Sequence, residues 1–386
     1  MSANAAAATD HTLNHLRWRP DARGWAIRLV VLAALFVIGA WRLATLPNFW
    51  ADRIALAAIF AIIGLSLNII LGYLGQVSLG HHAFVGLSAF MAAYFITEKH
   101  QSFWVGMFLA IAVGVASAAL LGLVALRIKG LYLALITLTY GFVAVNSIFE
   151  IPALTRGGAG MPAPRPEGFT TGHRYAVLCL LFLAMAIFID WRLVRSKAGR
   201  AILAVKHSEP VAASYGVNVT AFKVLGFMVS GALAGLAGSL FGPVDETVVA
   251  ASFNFREALI WVLMVVVGGL GSRVGVVIGS MFFALFPFLI GLSDSLKNFI
   301  TETLQRDPDE IMLVVGPLLA LVTIIKFPGG IAEQIAPITR WFAGERFSLH
   351  RNGHGHSKLS ALLSRVRTPA TGKHSVAKST QPGEPE

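Results

Sequence analysis

The chain has 386 residues, 56% hydrophobic and 13% charged, with a formal net charge of +11 and a mean hydropathy of +0.70. Soluble domains carry about 25% charged residues, so this composition excludes an ordinary soluble protein and describes an integral membrane protein. The basic surplus sits in loops and tails, where it reports orientation in a membrane and argues against a nucleic-acid partner.

In chain order, Met1–Gly24 is polar, carries Arg17, Arg19 and Arg23, and reads as a cytoplasmic tail. No charged leader runs into a short apolar stretch with a small-residue cleavage site, so the first apolar run reads as a retained helix. Predicted spans are 25–46, 51–73, 82–97, 103–128, 130–150, 174–191, 221–241, 258–270, 274–291 and 311–327. The fold class is therefore all-α: a polytopic transmembrane bundle of about 10 segments, with both termini cytoplasmic. The runs 82–97 and 258–270 fall short of the ~20 residues that a full crossing needs. They predict re-entrant or broken helices, which are tolerated only where protein or a water-filled cavity covers the backbone. The single cysteine, Cys179, lies inside an apolar run, cannot form an internal disulfide and reads as helix packing.

Charge supports this topology. It places Arg127, Lys129, the cluster from Arg192 to Lys206, Arg273 and the basic tail 340–386 inside, and the acid-rich loop 292–309 outside. The exception is loop 151–173, outside by this count yet holding Arg156 and Arg165; Gly157-Gly158 and four prolines mark it as irregular. The tail beyond Arg340 reads as disordered and cytoplasmic. His350, His354 and His356 within it are either a metal site or, as the Gly/Ser-rich context favours, simply solvated.

Three stretches carry candidate function. In 65–90, Asn68, Gln76, Ser78, His81 and His82 crowd a glycine-punctuated break between two apolar halves. Polar groups at membrane depth are expensive and usually face a bundle interior, so the break reads as a translocation path or, alternatively, as a cytoplasmic turn. In 130–150, Thr139 and Asn146 lie seven apart on one helix face, either facing a pore or bonding back to their own helix. In the polar stretch 192–220, Ser208 caps a short helix on which Glu209, Ala212, Ala213 and Gly216 share one face. That face would seat in a groove of another protein, or the stretch is an ordinary inter-helix loop. Gly72-Tyr-Leu-Gly75 and Gly268-Gly-Leu-Gly271 match in spacing and hint at a duplication. Overlapping small-xxx-small spacings between Gly231 and Gly242 predict close helix packing.

Absences narrow the class. The spans hold almost no carboxylates, which ion-coupled carriers place within the membrane, and no phosphate-binding glycine loop is present. Energy for active transport would come from another protein.

The runs GLSLNIILGYLGQVSLGHHAFVGLSAF at 64–90, LRIKGLYLALITLTYGF at 126–142, 199–241 and 259–280 resemble the LivM-type permease of branched-chain amino acid ABC importers. The resemblance covers roughly 50–330. It implies a permease subunit rather than an enzyme, without cofactors, in a bacterial inner membrane. The implied partners are a LivH-type second permease, two cytoplasmic ABC ATPases and a periplasmic binding protein. Arg200, Glu209, Ala212, Ala213 and Gly216 would then belong to the loop that engages an ATPase. The external run Thr155-Arg-Gly-Gly-Ala-Gly-Met161 departs from the family pattern, which leaves urea, short amides or aromatic acids as alternative cargo. A stand-alone channel or secondary carrier is the competing class, and a membrane anchor or sensor a third.

Overall fold

The computed structural model describes residues 47–126, 128, 130–156, 160–290, 317–318, 321–322, 325–326 and 330–335. The polar tail 1–24, the span 25–46, Arg127, Lys129, Gly157-Gly158, loop 292–309, most of the span 311–327 and the tail 340–386 lie outside the described residues.

Within them, every complete predicted run is helical. α1 (Asn48–Asn68) continues through a π-helical turn, Ile69–Tyr73. α2 is His81–Thr97, α3 Phe103–Val124, and α4 Leu131–Val143 with a second π turn, Ala144–Ile148. A single turn, α5 (Pro152–Thr155), precedes α6 (Gly172–Arg195), α7 (Lys197–His207) and α8 (Glu209–Ser214). The long α9 (Val219–Asp245) leads to α10 (Phe255–Gly268) and α11 (Arg273–Ile290). Two-residue strands β1 (Met161–Pro162) and β2 (Thr247–Val248) pair antiparallel.

Five of these helical stretches are long and apolar enough to cross a membrane: Asn48–Tyr73, Phe103–Val124, Leu131–Ile148, Gly172–Arg195 and Val219–Asp245. α2, at 17 residues, and α10, at 14, are the short pieces that the apolar run lengths predict. α1 and α9 form the centre, with 78% and 67% of their apolar windows buried; α3, α4 and α6, at 28% each, present broad faces outward.

The seam between α9 and α3 shows why glycine is needed there. A Cβ on Gly235 would lie 2.7 Å from the Ile111 Cα, and one on Gly231 2.5 Å from the Ala118 Cβ, closer than real side chains approach. In lipid, where apolar side chains gain little by leaving solvent, such backbone approach is a main source of helix association.

The two ends of the bundle differ. At one end lie the start of α1, the loop 160–171 and the end of α9. Here Arg165 explains its own anomaly. Its Nη2 donates to Asp52 Oδ1 at 2.9 Å and to the Val244 carbonyl at 3.0 Å, and its Nε to the Pro243 carbonyl at 3.0 Å. Helix ends leave carbonyls unpaired, and a cation suits the negative end of the dipole. Arg156 pairs with Glu98 at 2.7 Å. Both arginines that break the charge rule thus have carboxylate partners and add little net charge to that end. At the opposite, basic end lie α7, α8 and the starts of α9 and α11.

Candidate functional site

The break after α1 is real and deep. After the π turn, residues 74–80 are not helical, and the chain turns back into the bundle before α2 begins. The Leu79 amide donates to Thr137 Oγ1 at 3.0 Å, and that hydroxyl donates to the Ala134 carbonyl at 2.9 Å. Gly80 rests on the Thr137 carbonyl, so any Cβ there would strike backbone. Thr137 is well inside α4, so α2 starts within the bundle rather than at its end. Non-helical backbone at this depth is acceptable because protein covers it, and π turns concentrate at functional positions.

The predicted path residues form a buried group and a groove-lining group, with His82 belonging to both. Asn68, Gln76, Ser78, His81 and His82 are all buried. Asn68 Oδ1 accepts from the Gly271 amide at 2.8 Å, which brings the two matching glycine-rich stretches into contact. Ser66 Oγ donates to the Ser230 carbonyl at 2.6 Å and Ser230 Oγ donates to the Ser66 carbonyl at 2.8 Å. With its one proton committed, Ser66 Oγ accepts at 2.9 Å from His81 Nε2, which fixes the Nε2–H tautomer. Asn68 and His81 are therefore cross-links that hold α1 to the α10–α11 turn and to α2, with Ser66 joining α1 to α9. Gln76 and Ser78 lie within the covered break.

The second group meets at a groove of about 560 Å³, lined by His82, Thr139, Asn146 and Asn254 among Leu138, Phe142, Val145 and Phe255. The His82 ring fits there because residue 141 is glycine; a Cβ at Gly141 would collide with it. Thr139 Oγ1 donates to the Leu135 carbonyl at 3.0 Å and Asn146 Nδ2 to the Phe142 carbonyl at 2.9 Å, yet both residues are exposed. The groups bond back to α4, as one of the two sequence readings has it, and they also line the groove. Asn254 was not singled out in the sequence. Its signal is that of a helix cap, and its Oδ1 indeed accepts from the Glu257 amide at 3.1 Å.

At the basic end, Ser196 caps α7 and Ser208 caps α8, as the sequence predicts for the second. The shared face does not form. α8 ends at Ser214, so Gly216 sits beyond it in a left-handed turn at φ +78 instead of one turn further along a helix. Glu209 and Ala212 face the body, and Ala213 and Gly216 face out beside Val211 and Tyr215, which are 54% and 83% exposed. Glu209 is drawn inward by Lys223, buried to 1% exposure, whose ammonium lies 2.6 Å from the carboxylate. An unpaired ammonium at that site would be costly. Arg200 is exposed and donates to the Arg195 carbonyl at 3.2 Å. Two further contacts reach the break. Lys206 Nζ donates to the Gly72 carbonyl at 2.7 Å. Asp190 Oδ2 accepts from Tyr73 Oη at 3.2 Å and from Arg273 Nε at 2.5 Å, tying α6, α1 and α11.

Membrane-length helices around a glycine-lined break, with a groove open on an outward face, define a multi-pass helical membrane protein. The family described as branched-chain amino acid transport system, permease component, matches residues 50–306, and the chain belongs to it. The LivM permease protein of the high-affinity branched-chain amino acid transport system of Salmonella typhimurium is 28% identical over 347 residues, 82% of this chain and 78% of that protein. The LivH protein of the corresponding Escherichia coli system is 28% identical over 149 residues, 39% of this chain and 44% of that protein. A probable LivH permease of Methanocaldococcus jannaschii is 25% identical over 301 residues, 77% of this chain and 85% of that protein. No solved structure matches the chain significantly.

Proposed function

We propose that this chain is one of two permease subunits of a bacterial inner-membrane ABC importer for branched-chain or related amino acids. The groove of His82, Thr139, Asn146 and Asn254 is one wall of the translocation path, and a LivH-type permease supplies the other. The observation that carries this reading is the groove itself. It is a largely apolar groove onto which four uncharged polar residues open, beside the exposed Leu131, Tyr132 and Leu135. A path without fixed charge suits a zwitterion, whose two charges cancel. That the chain resembles both LivM and LivH proteins suits a pair of like subunits meeting face to face.

On this reading the basic end is cytoplasmic. α7 and α8, with Arg200, Ala213, Gly216, Val211 and Tyr215 outward, meet an ATPase subunit; Glu209 and Ala212 hold α8 in place from behind. A second ATPase engages the partner permease, and the periplasmic binding protein docks at the end that carries loop 160–171. Reconstitution with candidate partner subunits tests this. Leucine uptake into liposomes should require ATP and the binding protein. Uptake driven by an ion gradient without ATP would instead establish a secondary carrier.

A further inference from the structure

We propose that a groove between α6 and α9 at the basic end binds one anionic phospholipid. The groove, of about 530 Å³, has apolar walls from Phe188, Leu193 and Val229 and a basic rim from Arg192 and Arg195, closed by Ser196. Phe188 and Val229 belong to two of the membrane-length helices, so the walls sit at acyl-chain depth. Arg192 and Arg195 follow one and two turns after Phe188, at the end of the apolar run, where headgroups lie.

Several cations of the protein are already committed elsewhere. Arg156, Arg165, Lys223 and Arg273 each hold a carboxylate, and Lys206 holds a backbone carbonyl. Among the described residues Arg192 meets no carboxylate, and Arg195 stacks on the Trp191 ring at 4.7 Å without one. Trp191 places an aromatic ring at the same level, as interfacial belts do. Next to the rim, α7 begins at Lys197, and its first amides add positive potential at the same place. Unpaired cations beside an apolar cleft between spanning helices match an anionic headgroup with an acyl chain. A zwitterionic headgroup would bring its own ammonium against these cations. A helix of another subunit would fill the apolar walls but bury both guanidinium groups unpaired.

The test is native mass spectrometry of the full chain in detergent, titrated with phosphatidylglycerol or phosphatidylcholine. One phosphatidylglycerol should be retained in preference to phosphatidylcholine, with affinity falling about five-fold for each arginine replaced by glutamine at 192 and 195. Arg192→Lys with Arg195→Lys should keep most of the binding. Val229→Trp, which fills the cleft and leaves both arginines, should lose it. Equal retention of the two lipids overturns the proposal. So does undiminished phosphatidylglycerol in the double glutamine variant or in Val229→Trp, or competition by inorganic phosphate at millimolar concentration, which would show a headgroup-only site.

Discussion

The ammonium of Lys206 on α7 lies 2.7 Å from the carbonyl of Gly72, in the π turn that ends α1. One hydrogen bond thereby joins the segment proposed to meet the ATPase to the break proposed to support the path. The stem of Lys206 also packs on Gly75, at 3.1 Å from where a Cβ would be, in a left-handed conformation that glycine allows. Lys206→Met should lower ATP-driven uptake about tenfold, the effect of losing a charge-assisted bond of about 1.5 kcal/mol. Lys206→Arg should recover part of it. Uptake and ATP hydrolysis measured together are the check: hydrolysis should persist while uptake falls.

The Glu209–Lys223 pair is a matter of stability first. Glu209→Gln leaves the buried Lys223 ammonium without its counter-charge. Removing one partner of a buried pair costs about 3–5 kcal/mol. Replacing both residues by methionine should restore most of the lost thermal stability in detergent, even if uptake stays low.

Glycine contacts predict graded damage. Gly235→Leu should separate α3 from α9 and cost about 1–3 kcal/mol through overpacking. Gly80→Ala should act more severely for its size: both sites are obstructed by backbone, but a Cβ at Gly80 would press closer on the Thr137 carbonyl than one at Gly235 on Ile111. Gly130→Ala is the useful contrast, since among the described residues no atom beyond its chain neighbours lies within 4 Å of its Cβ position, and its cost is the positive φ. Yield of monodisperse protein and unfolding temperature should rank the three.

The path reading predicts uniform slowing. Asn254→Leu and Thr139→Leu should reduce uptake of every substrate alike, with binding-protein affinity unchanged. Cysteines at Thr139 and Asn146, in a background without Cys179, should react with small water-soluble reagents. If both variants transport normally and both cysteines are inert, the groove is a lipid-facing surface. In the same background, a cysteine at Gly168 should react with an impermeant reagent added outside, and one at Gly216 should not.

The five membrane-length helices were legible in the sequence because each is a long apolar run whose length alone signals a crossing. The break was legible because Gly72, Gly75 and Gly80 and five polar residues interrupt such a run. What each polar residue touches was not legible. His81 finds Ser66, Ser66 finds Ser230, and Asn68 finds Gly271, across separations that no local pattern encodes. The shared face of Glu209 and Gly216 failed for the same reason. The helical spacing assumed that α8 continues, and the partner that turns Glu209 inward lies on the next helix. Arg165 contradicted a charge count that sees residues singly; with Asp52 and two helix-end carbonyls around it, the contradiction is gone.

The bond from the Leu79 amide to Thr137 also bears on how the chain is made. The segment 74–80 is synthesised well before α4; its Leu74 and Gln76 amides find Ile69 and Ile70 locally, but the Leu79 amide at first lacks the acceptor it has in the finished fold. Released into hydrocarbon at that moment, the Leu79 amide would carry a penalty of several kcal/mol. The first half of the protein is therefore not a self-sufficient membrane unit. α1 and α2 must wait beside water, or beside the insertion machinery, until the helix carrying Thr137 arrives, and a nascent chain halted before Gly130 should remain exposed to quality-control proteases.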